Sequence, residues 1–302
     1  MTGWFERIPQ TAWDSLACPH CAQPLSVRDG GLRCPRAHHF DLARHGYVSL
    51  LGGRSRTDTA DTAAMVAARA AFLAAELYRP IADAVAAAVA AQRPRVVAEV
   101  GAGTGYYLAA ALAAVEAADP ERPAVGVALD ASKFAARSAA RAHPGVLSVV
   151  ADAWEVLPLG DRSVDTVLSV FAPRQVEQIL RVLRPTGALV VVTPESGHLA
   201  ELIEPFGMLT VDDGKADRLE QGLAPHLRPV GRERVRAVVH PTSAQLTDLV
   251  MMGPSAWHVD EAAVAGKAAA WGERPVTIDV TVSTFVKPAG RPLGRLAVRR
   301  PG

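Results

Sequence analysis

The chain contains three cysteines, and all of them lie between residues 18 and 34. An odd number excludes a fully paired disulfide framework, and clustering of this kind is typical of a metal site in a reducing compartment. Cys18 and Cys21 are separated by two residues, and Cys34 is followed four residues later by His38. The pattern predicts one tetrahedral zinc ion that is structural, because four protein ligands leave no open coordination position.

A short hairpin is predicted between the two halves of this cluster. Asp29-Gly30-Gly31 is a turn signal between two short apolar runs. A hairpin framed by two metal-binding knuckles forms a zinc ribbon, and a unit of this size depends on its metal for folding. Spacing alone leaves His39 and His20 as alternatives to His38 for the fourth ligand.

From Val96 onward, β-rich runs alternate with helical ones. Such alternation predicts right-handed βαβ units in a doubly wound, mostly parallel sheet of the α/β class. Residues 1–52 would then form the ribbon, 53–93 a helical linker and 94–302 the α/β domain. Two later strands, 234–239 and 276–286, are expected to complete the sheet in antiparallel fashion. The predicted strands are Val96–Val100, Ala124–Leu129, Leu147–Val150, Thr166–Val170 and Ala188–Thr193, and helices begin near Tyr106, Ala131 and Arg174.

The first of these strands leads into a glycine-rich turn and a helix start. Glycines let the backbone pass close under a ligand, and the helix N-terminus offers free N–H groups. The even glycine spacing does not meet the dinucleotide pattern Gly-x-Gly-x-x-Gly. An acid before the turn, a ribose-binding acid after the next strand and an Asp-Ala pair for the adenine indicate a class I S-adenosylmethionine-dependent methyltransferase. The candidate residues are Glu99, Gly101, Gly103, Gly105, Asp130, Asp152 and Ala153.

Composition limits the possible partners. With 32 basic and 31 acidic residues the net charge is +1, so a nucleic acid would have to be held by local basic patches. No apolar run reaches the roughly 18 residues of a membrane span, and the N-terminus lacks the layout of a signal peptide. A cytoplasmic protein is therefore expected. The arginines expected to contact phosphates are Arg28, Arg33, Arg36, Arg44, Arg54 and Arg56.

Several further motifs give the chain a specific resemblance. From Cys18 to about Val286 it resembles the RlmA family of bacterial 23S rRNA (guanine-N1)-methyltransferases, with similarity to the tylosin-resistance branch. The matching segments are the two cysteine knuckles, His39-Phe40-Asp41 with Gly46–Leu51, Ala68–Leu73 with Tyr78, Gly105–Tyr107, Ala172-Pro173, Thr193-Pro194 with His198-Leu199, and Met252–Trp257.

The resemblance implies a reaction and a site. The expected fold is a Rossmann-like class I methyltransferase preceded by a small N-terminal zinc ribbon, with His38 as the fourth zinc ligand. The expected substrate is N1 of a guanine in a hairpin of domain II of 23S rRNA, the expected assembly is a homodimer, and macrolide resistance is an expected role. Besides the acids, the cofactor site would include Tyr78, Gly103, Thr104 and His198.

Two other functions fit parts of the pattern. One is a small-molecule methyltransferase whose ribbon is only structural, and the other is a zinc-ribbon adaptor with a degenerate catalytic fold. The intact glycine loop with its three acids argues against the adaptor. The residues before Cys18 and the basic tail from Ala289 are departures for which the resemblance offers no role.

Overall fold

The computed structural model describes residues 3–52, 55, 60–208, 210, 214–257 and 259–288. Strands and helices alternate through most of this range, as the α/β prediction requires. The strands are β1 (Ser26–Arg28), β2 (Gly31–Arg33), β3 (His39–Ala43), β4 (Tyr47–Ser49), β5 (Val96–Val100), β6 (Val125–Asp130), β7 (Val146–Val150), β8 (Val164–Val170), β9 (Leu183–Pro194), β10 (Arg228–Val239) and β11 (Val276–Val286). The helices are α1 (Gln10–Trp13), α2 (Ala63–Ala74), α3 (Arg79–Ala90), α4 (Tyr106–Ala118), α5 (Lys133–Ala139), α6 (Val176–Val182), α7 (Ala200–Phe206), α8 (Lys215–Leu223), α9 (Ser243–Met251) and α10 (Glu261–Trp271).

The strands are hydrogen-bonded in the order β1-β2-β3-β4-β7-β6-β5-β8-β9-β11-β10. The run from β4 to β9 is parallel, and β11 is antiparallel to both β9 and β10. The doubly wound, mostly parallel sheet and its antiparallel completion are confirmed. In sheets of this kind ligands bind beyond the carboxyl ends of the parallel strands, where the order reverses at β5.

The zinc ribbon is continuous with the central sheet. Strand β4 pairs in parallel with β7, with Tyr47 opposite Ser148 and Ser49 opposite Val150. Trp13 before the ribbon is buried in the same apolar cluster as Leu147 of β7. The ribbon and the α/β domain, on either side of the expected boundary at residue 52, therefore share a pair of hydrogen-bonded strands and an apolar core.

The predicted linker is built from two helices. Thr62 caps α2 by accepting a hydrogen bond from Met65 N at 3.2 Å, and Pro80 occupies the first turn of α3. One face of α3 is buried against α4, while α2 lies beside the carboxyl ends of the strands. Both helices therefore belong to the methyltransferase body, and α2 covers part of the expected ligand site.

The observed element limits differ slightly from those expected. Helix α5 begins at Lys133 because the Ser132 side chain accepts hydrogen bonds from the backbone N–H groups of Phe134 and Ala135.

The phosphate-binding candidates Arg54 and Arg56 and the basic tail lie outside the described residues. In the part of the chain that the structure describes, no helix combines the length and apolarity needed to cross a membrane.

Candidate active site and metal centre

The structure brings the four predicted metal ligands together. One potential ligand atom from each of Cys18, Cys21, Cys34 and His38 lies within 4.8 Å of the others. His38 Nδ1 is 3.4 Å from Cys18 Sγ and 3.3 Å from Cys34 Sγ, and the Cys21 and Cys34 sulfurs are 3.6 Å apart. A tetrahedral zinc ion about 2.3 Å from sulfur and 2.0 Å from nitrogen sets its ligands roughly 3.5–3.8 Å apart. The cluster fits that ion.

A backbone hydrogen bond to the first cysteine carbonyl closes each knuckle, across four residues in the first and three in the second. Ala22 donates its N–H to Cys18 O at 2.8 Å, and Ala37 donates to Cys34 O at 2.9 Å. Both alanines have positive φ, +57° and +63°. Burial raises the pKa of Cys18 to about 11, so its thiolate needs a nearby cation, which zinc supplies.

The alternative histidines contribute no ligand atom to this cluster, although the His20 ring lies 5.1 Å from the His38 ring. His39 lies 3.7 Å from Asp41 and packs over Gly31, while the His20 ring stacks on Phe40 with centroids 5.8 Å apart. Neither is part of the ligand cluster found among the described residues. The structure thus separates His38 from its rivals, which spacing alone did not.

The glycine turn connects β5 to α4. Gly101 has φ +71°, and a Cβ there would lie 2.5 Å from Ala172 Cβ, so only glycine permits the close approach of the loop after β8. Gly105 has φ +80°, and a Cβ on it would meet the Ala139 backbone at 3.0 Å. The first glycine shapes the cleft floor, whereas Gly105 lets α4 pack closely against α5.

A cleft of about 470 Å³ opens at the carboxyl ends of β5, β6 and β7. Its size lies within the range of small-molecule and cofactor sites. The predicted cofactor residues that line it are Tyr78, Gly101, Gly103, Thr104, Asp130, Asp152 and Ala153.

Two carboxylates in this lining are fixed by the backbone. Asp130 accepts hydrogen bonds from Gly103 N and Ser132 N, both at 2.8 Å, and Asp152 accepts one from Trp154 N at 2.8 Å. Burial raises the pKa of Asp130, and the two N–H donors counteract this shift. The acids therefore stand at the ends of β6 and β7 in fixed orientation, as a ribose-binding and an adenine-binding group require.

The remaining candidates, Glu99, Gly105 and His198, do not line the cleft. Glu99 is buried beneath the glycine turn, where burial raises its pKa well above the usual range and its Oε2 has no partner among the described residues. His198 accepts a hydrogen bond at Nδ1 from Asp279 N, and its Nε2 is 3.3 Å from the Tyr78 hydroxyl. His198 therefore contacts Tyr78, which does line the cleft.

One wall of the cleft, formed by Asp61, Arg69 and Met252, was not predicted from the sequence. Arg69 of α2 pairs with Asp61, donates to Met252 O at 2.7 Å and lies over Gly103. No local pattern marks this wall, because Asp61 and Met252 are far apart in sequence. The only signal was the resemblance, which covered Arg69 and the Met252–Trp257 segment without assigning them a role.

The fold and the cleft define a class I S-adenosylmethionine-dependent methyltransferase that carries a structural zinc ribbon. Backbone N–H groups at a helix start and two fixed carboxylates match the donors and acceptors that an adenosyl group needs. Glu99 lies outside the lining of the cleft, so its contact with the cofactor stays a prediction.

Comparison with known proteins identifies the family. The model of the RlmA N-terminal zinc ribbon matches residues 16–55, and a methyltransferase domain model matches residues 98–191. The chain is 46% identical over 271 residues to the 23S rRNA (guanine(748)-N(1))-methyltransferase of Streptomyces fradiae, covering 88% of this chain and 94% of that one. It is 45% identical to a putative 23S rRNA (guanine-N(1)-)-methyltransferase of Micromonospora griseorubida, covering 88% and 95%. A Bacillus subtilis protein with the same description is 30% identical, covering 80% and 86%. The chain belongs to the RlmA family of 23S rRNA (guanine-N1)-methyltransferases, which confirms the resemblance.

Proposed function

We propose that this protein transfers the methyl group of S-adenosylmethionine to N1 of a guanine in 23S rRNA. The relative from Streptomyces fradiae is named for guanine 748, and we propose the equivalent guanine, in a hairpin of domain II, as the target. The structural observation that carries the proposal is the set of exposed aromatic rings at the cleft. Trp154, Phe171 and Trp257 are 68%, 42% and 46% exposed, although all three line the cofactor cleft.

Exposed rings beside a cofactor suit a base that enters from outside. An enzyme that acts on a base must take it out of the stack and hold it between apolar or aromatic surfaces. Phe171 is supported from behind by the His198 ring, with centroids 5.6 Å apart and planes 21° apart. We assign Phe171 as the surface on which the guanine stacks.

The reaction must overcome the low nucleophilicity of guanine N1, which carries a proton at neutral pH. When bound, the cofactor supplies a methyl group on a positively charged sulfur. Each carboxylate at the cleft already accepts a hydrogen bond from the chain: Asp61 from Arg69, Asp130 from Gly103 and Ser132, and Asp152 from Trp154. We therefore assign catalysis mainly to positioning N1 in line with the methyl group.

The proposal also covers the domain roles, the oligomeric state, the cellular location and the biological role of the protein. We propose that the ribbon (1–52) recognises RNA and that the methyltransferase domain (94–302) carries out catalysis, with the helices of the predicted linker (53–93) packed on that domain; the two family models, which match separate ranges, support a ribbon distinct from the catalytic domain. A homodimer would place two ribbons beside one RNA hairpin. A zinc site with three thiols suits the reducing cytoplasm, where we place the protein. Macrolide resistance is the proposed biological role.

The alternative is a small-molecule methyltransferase with a purely structural ribbon. Such an enzyme needs a site that encloses its substrate, whereas this cleft exposes aromatic rings at its mouth. The exposed rings favour the macromolecular substrate.

The test is methylation of 23S rRNA fragments with labelled cofactor, followed by reverse transcription. We expect label in the domain II fragment and a stop immediately 3′ to guanine 748, because N1-methylguanine blocks base pairing. Label without a stop would place the methyl group at another atom. No labelling of any fragment, with cofactor binding intact, would contradict the RNA substrate.

A further inference from the structure

A second pocket, of about 510 Å³, lies beside the amino-terminal ends of β4 and β7, whereas the cofactor cleft lies at the carboxyl ends of the parallel strands. Three separate segments form it: the 3₁₀ turn Trp4–Arg7 before the ribbon, the β3–β4 turn, and the connection from α5 to β7. Its basic lining residues are three arginines and two histidines: Arg7, Arg44, Arg141, His45 and His143. We call this site the arginine pocket.

The arginines of this pocket have no acidic partners. Arg7, Arg44 and Arg141 are exposed, and none of them takes part in an ion pair among the residues that the structure describes. No aspartate or glutamate lines the pocket. Glu116 is 3.8 Å from His143 Nε2 but forms no ion pair with an arginine. The arginine pocket therefore concentrates positive charge on a chain whose net charge is only +1.

The lowered pKa of His45 is consistent with this concentration of positive charge. Arg44 Nε donates a hydrogen bond to His45 Nε2 at 3.3 Å, which requires that nitrogen to be unprotonated. Burial lowers the pKa of His45, and so do the charges of Arg137, Arg44 and Arg141. Arg137, which does not line the pocket, therefore adds its charge to those of Arg44 and Arg141.

Helix termini explain only part of the cluster. Arg137 and Arg141 lie at the C-terminal end of α5, where a positive charge is favourable. Arg7 and Arg44 come from other segments and gain nothing from that helix. Some arginines elsewhere in the fold have an acidic partner, as with Arg79 and Asp83 at 2.7 Å or Arg181 and Asp161 at 2.9 Å. Bringing together three guanidinium groups that have no acidic partner among the described residues costs repulsion, which a bound anion would offset.

We propose that the arginine pocket binds a phosphate group of the RNA substrate, an inference that rests on the function proposed above. Guanidinium groups bind phosphate oxygens in pairs. Strand β7 is five residues long and separates this pocket from the cleft. That is about 16 Å at ~3.3 Å per residue. A phosphate in the stem would thus be held while a guanine further along enters the cleft.

The inference also gives a role to the residues before Cys18. Trp4, Arg7 and Ile8 line the arginine pocket, and the Trp4 ring packs on Trp13 with centroids 6.1 Å apart. The N-terminal segment therefore presents Arg7 from a fixed position.

The test compares two double variants in RNA binding. Arg44→Gln/Arg141→Gln removes two charges from the pocket, and Arg228→Gln/Arg274→Gln removes two exposed charges from the far end of the sheet. Affinity for the domain II fragment of 23S rRNA is measured at several salt concentrations, and binding of inorganic phosphate is measured by calorimetry. We expect the pocket variant to bind RNA about tenfold or more weakly and to lose about one to two units of the log–log salt slope, because each phosphate contact contributes about one unit. The control variant should match the parent, and both variants should keep the parent's cofactor affinity.

The other outcomes are distinct. A pocket variant with the parent's RNA affinity and salt slope would overturn the inference, while methylation of the fragment by the parent would still support the proposed function. Loss of phosphate binding with unchanged RNA binding would make the pocket a site for a free anion and would also overturn it. A parent that binds the fragment but methylates no RNA would contradict the function and leave the binding result for the pocket standing.

Discussion

Phe171 has a backbone conformation that few large side chains adopt. Its φ is +52°, at the point where β8 ends and the chain turns toward Ala172. A positive φ for a bulky residue costs free energy, on the order of 1–3 kcal/mol. This backbone conformation leaves the Phe171 ring partly exposed at the cleft and nearly parallel to the His198 ring.

Removing the Phe171 ring should weaken RNA methylation selectively. Base–aromatic stacking contributes about 1–3 kcal/mol, so Phe171→Ala should lower kcat/KM for RNA by roughly tenfold to a hundredfold. Phe171→Tyr retains the ring and should keep most of the activity. Calorimetry should give an unchanged cofactor affinity for both variants. An equal loss of cofactor affinity in Phe171→Ala would show that the ring contacts the cofactor rather than the base.

Asp130 should determine cofactor affinity. Asp130→Ala removes charge-assisted hydrogen bonds to a ribose and should weaken S-adenosylmethionine binding by about 1.5–3 kcal/mol. Asp130→Asn keeps one side-chain acceptor for Gly103 N or Ser132 N, so it separates loss of charge from loss of loop structure. Titration calorimetry measures the affinity, and circular dichroism checks the fold. Unchanged affinity in both variants would exclude Asp130 as the ribose ligand.

His198 should make stability depend on pH. Burial lowers its pKa to about 4 from an ordinary value of 6.5, while Asp279 and Glu201 act in the opposite direction. In the unfolded chain His198 therefore takes up a proton below pH 6.5, while in the folded chain the same side chain stays neutral down to about pH 4. The free energy of unfolding therefore falls as the pH drops from about 6.5 to about 4. The loss is up to about 3 kcal/mol.

Denaturant unfolding of the parent and of His198→Gln between pH 4 and 7 measures this dependence. The variant should lose less stability than the parent over that range. Parallel curves would show that His198 does not titrate as its burial implies.

At the scale of elements, the ribbon acts as a cover for the central sheet. Cys18 and Cys34 are buried in one apolar cluster with Val127 of β6 and Val149 of β7. Two separate domains would predict that a damaged ribbon leaves the rest of the chain unaffected. The shared core predicts that losing the metal destabilises the whole molecule.

Zinc removal should show this coupling. We expect one zinc per chain by elemental analysis, and Cys34→Ala should lose the metal and lower the melting temperature of the single unfolding transition. At low temperature the folded variant should still bind cofactor, because no ribbon residue lines the cleft. Two independent transitions, with the second unchanged by the variant, would contradict the coupling.

Elements with strong local signals were predictable from the sequence. The strand Val96–Val100 and the hairpin around Asp29-Gly30 appear where they were expected. The pairing of β4 with β7 was not predictable, because three residues of a strand carry no mark of their distant partner. The wall formed by Arg69 and Met252 was missed for the same reason.

At the scale of the whole molecule, net charge was a poor guide to partners. The value of +1 predicts no general attraction to phosphates, but only the fold shows which arginines have acidic partners. Arg33, expected to contact RNA, lies 4.0 Å from Asp29. Arg44, from the same list of candidates, faces a pocket without acids.

The pairing of β4 with β7 also orders events during synthesis. Tyr47 leaves the ribosome about a hundred residues before its partner Ser148, a delay of roughly 5–20 s at ordinary translation rates. Through that interval the ribbon presents an open strand edge, which is a template for pairing with other chains. Early capture of zinc would hold the ribbon in shape until β7 arrives, so metal supply would govern the yield of folded protein as well as its stability.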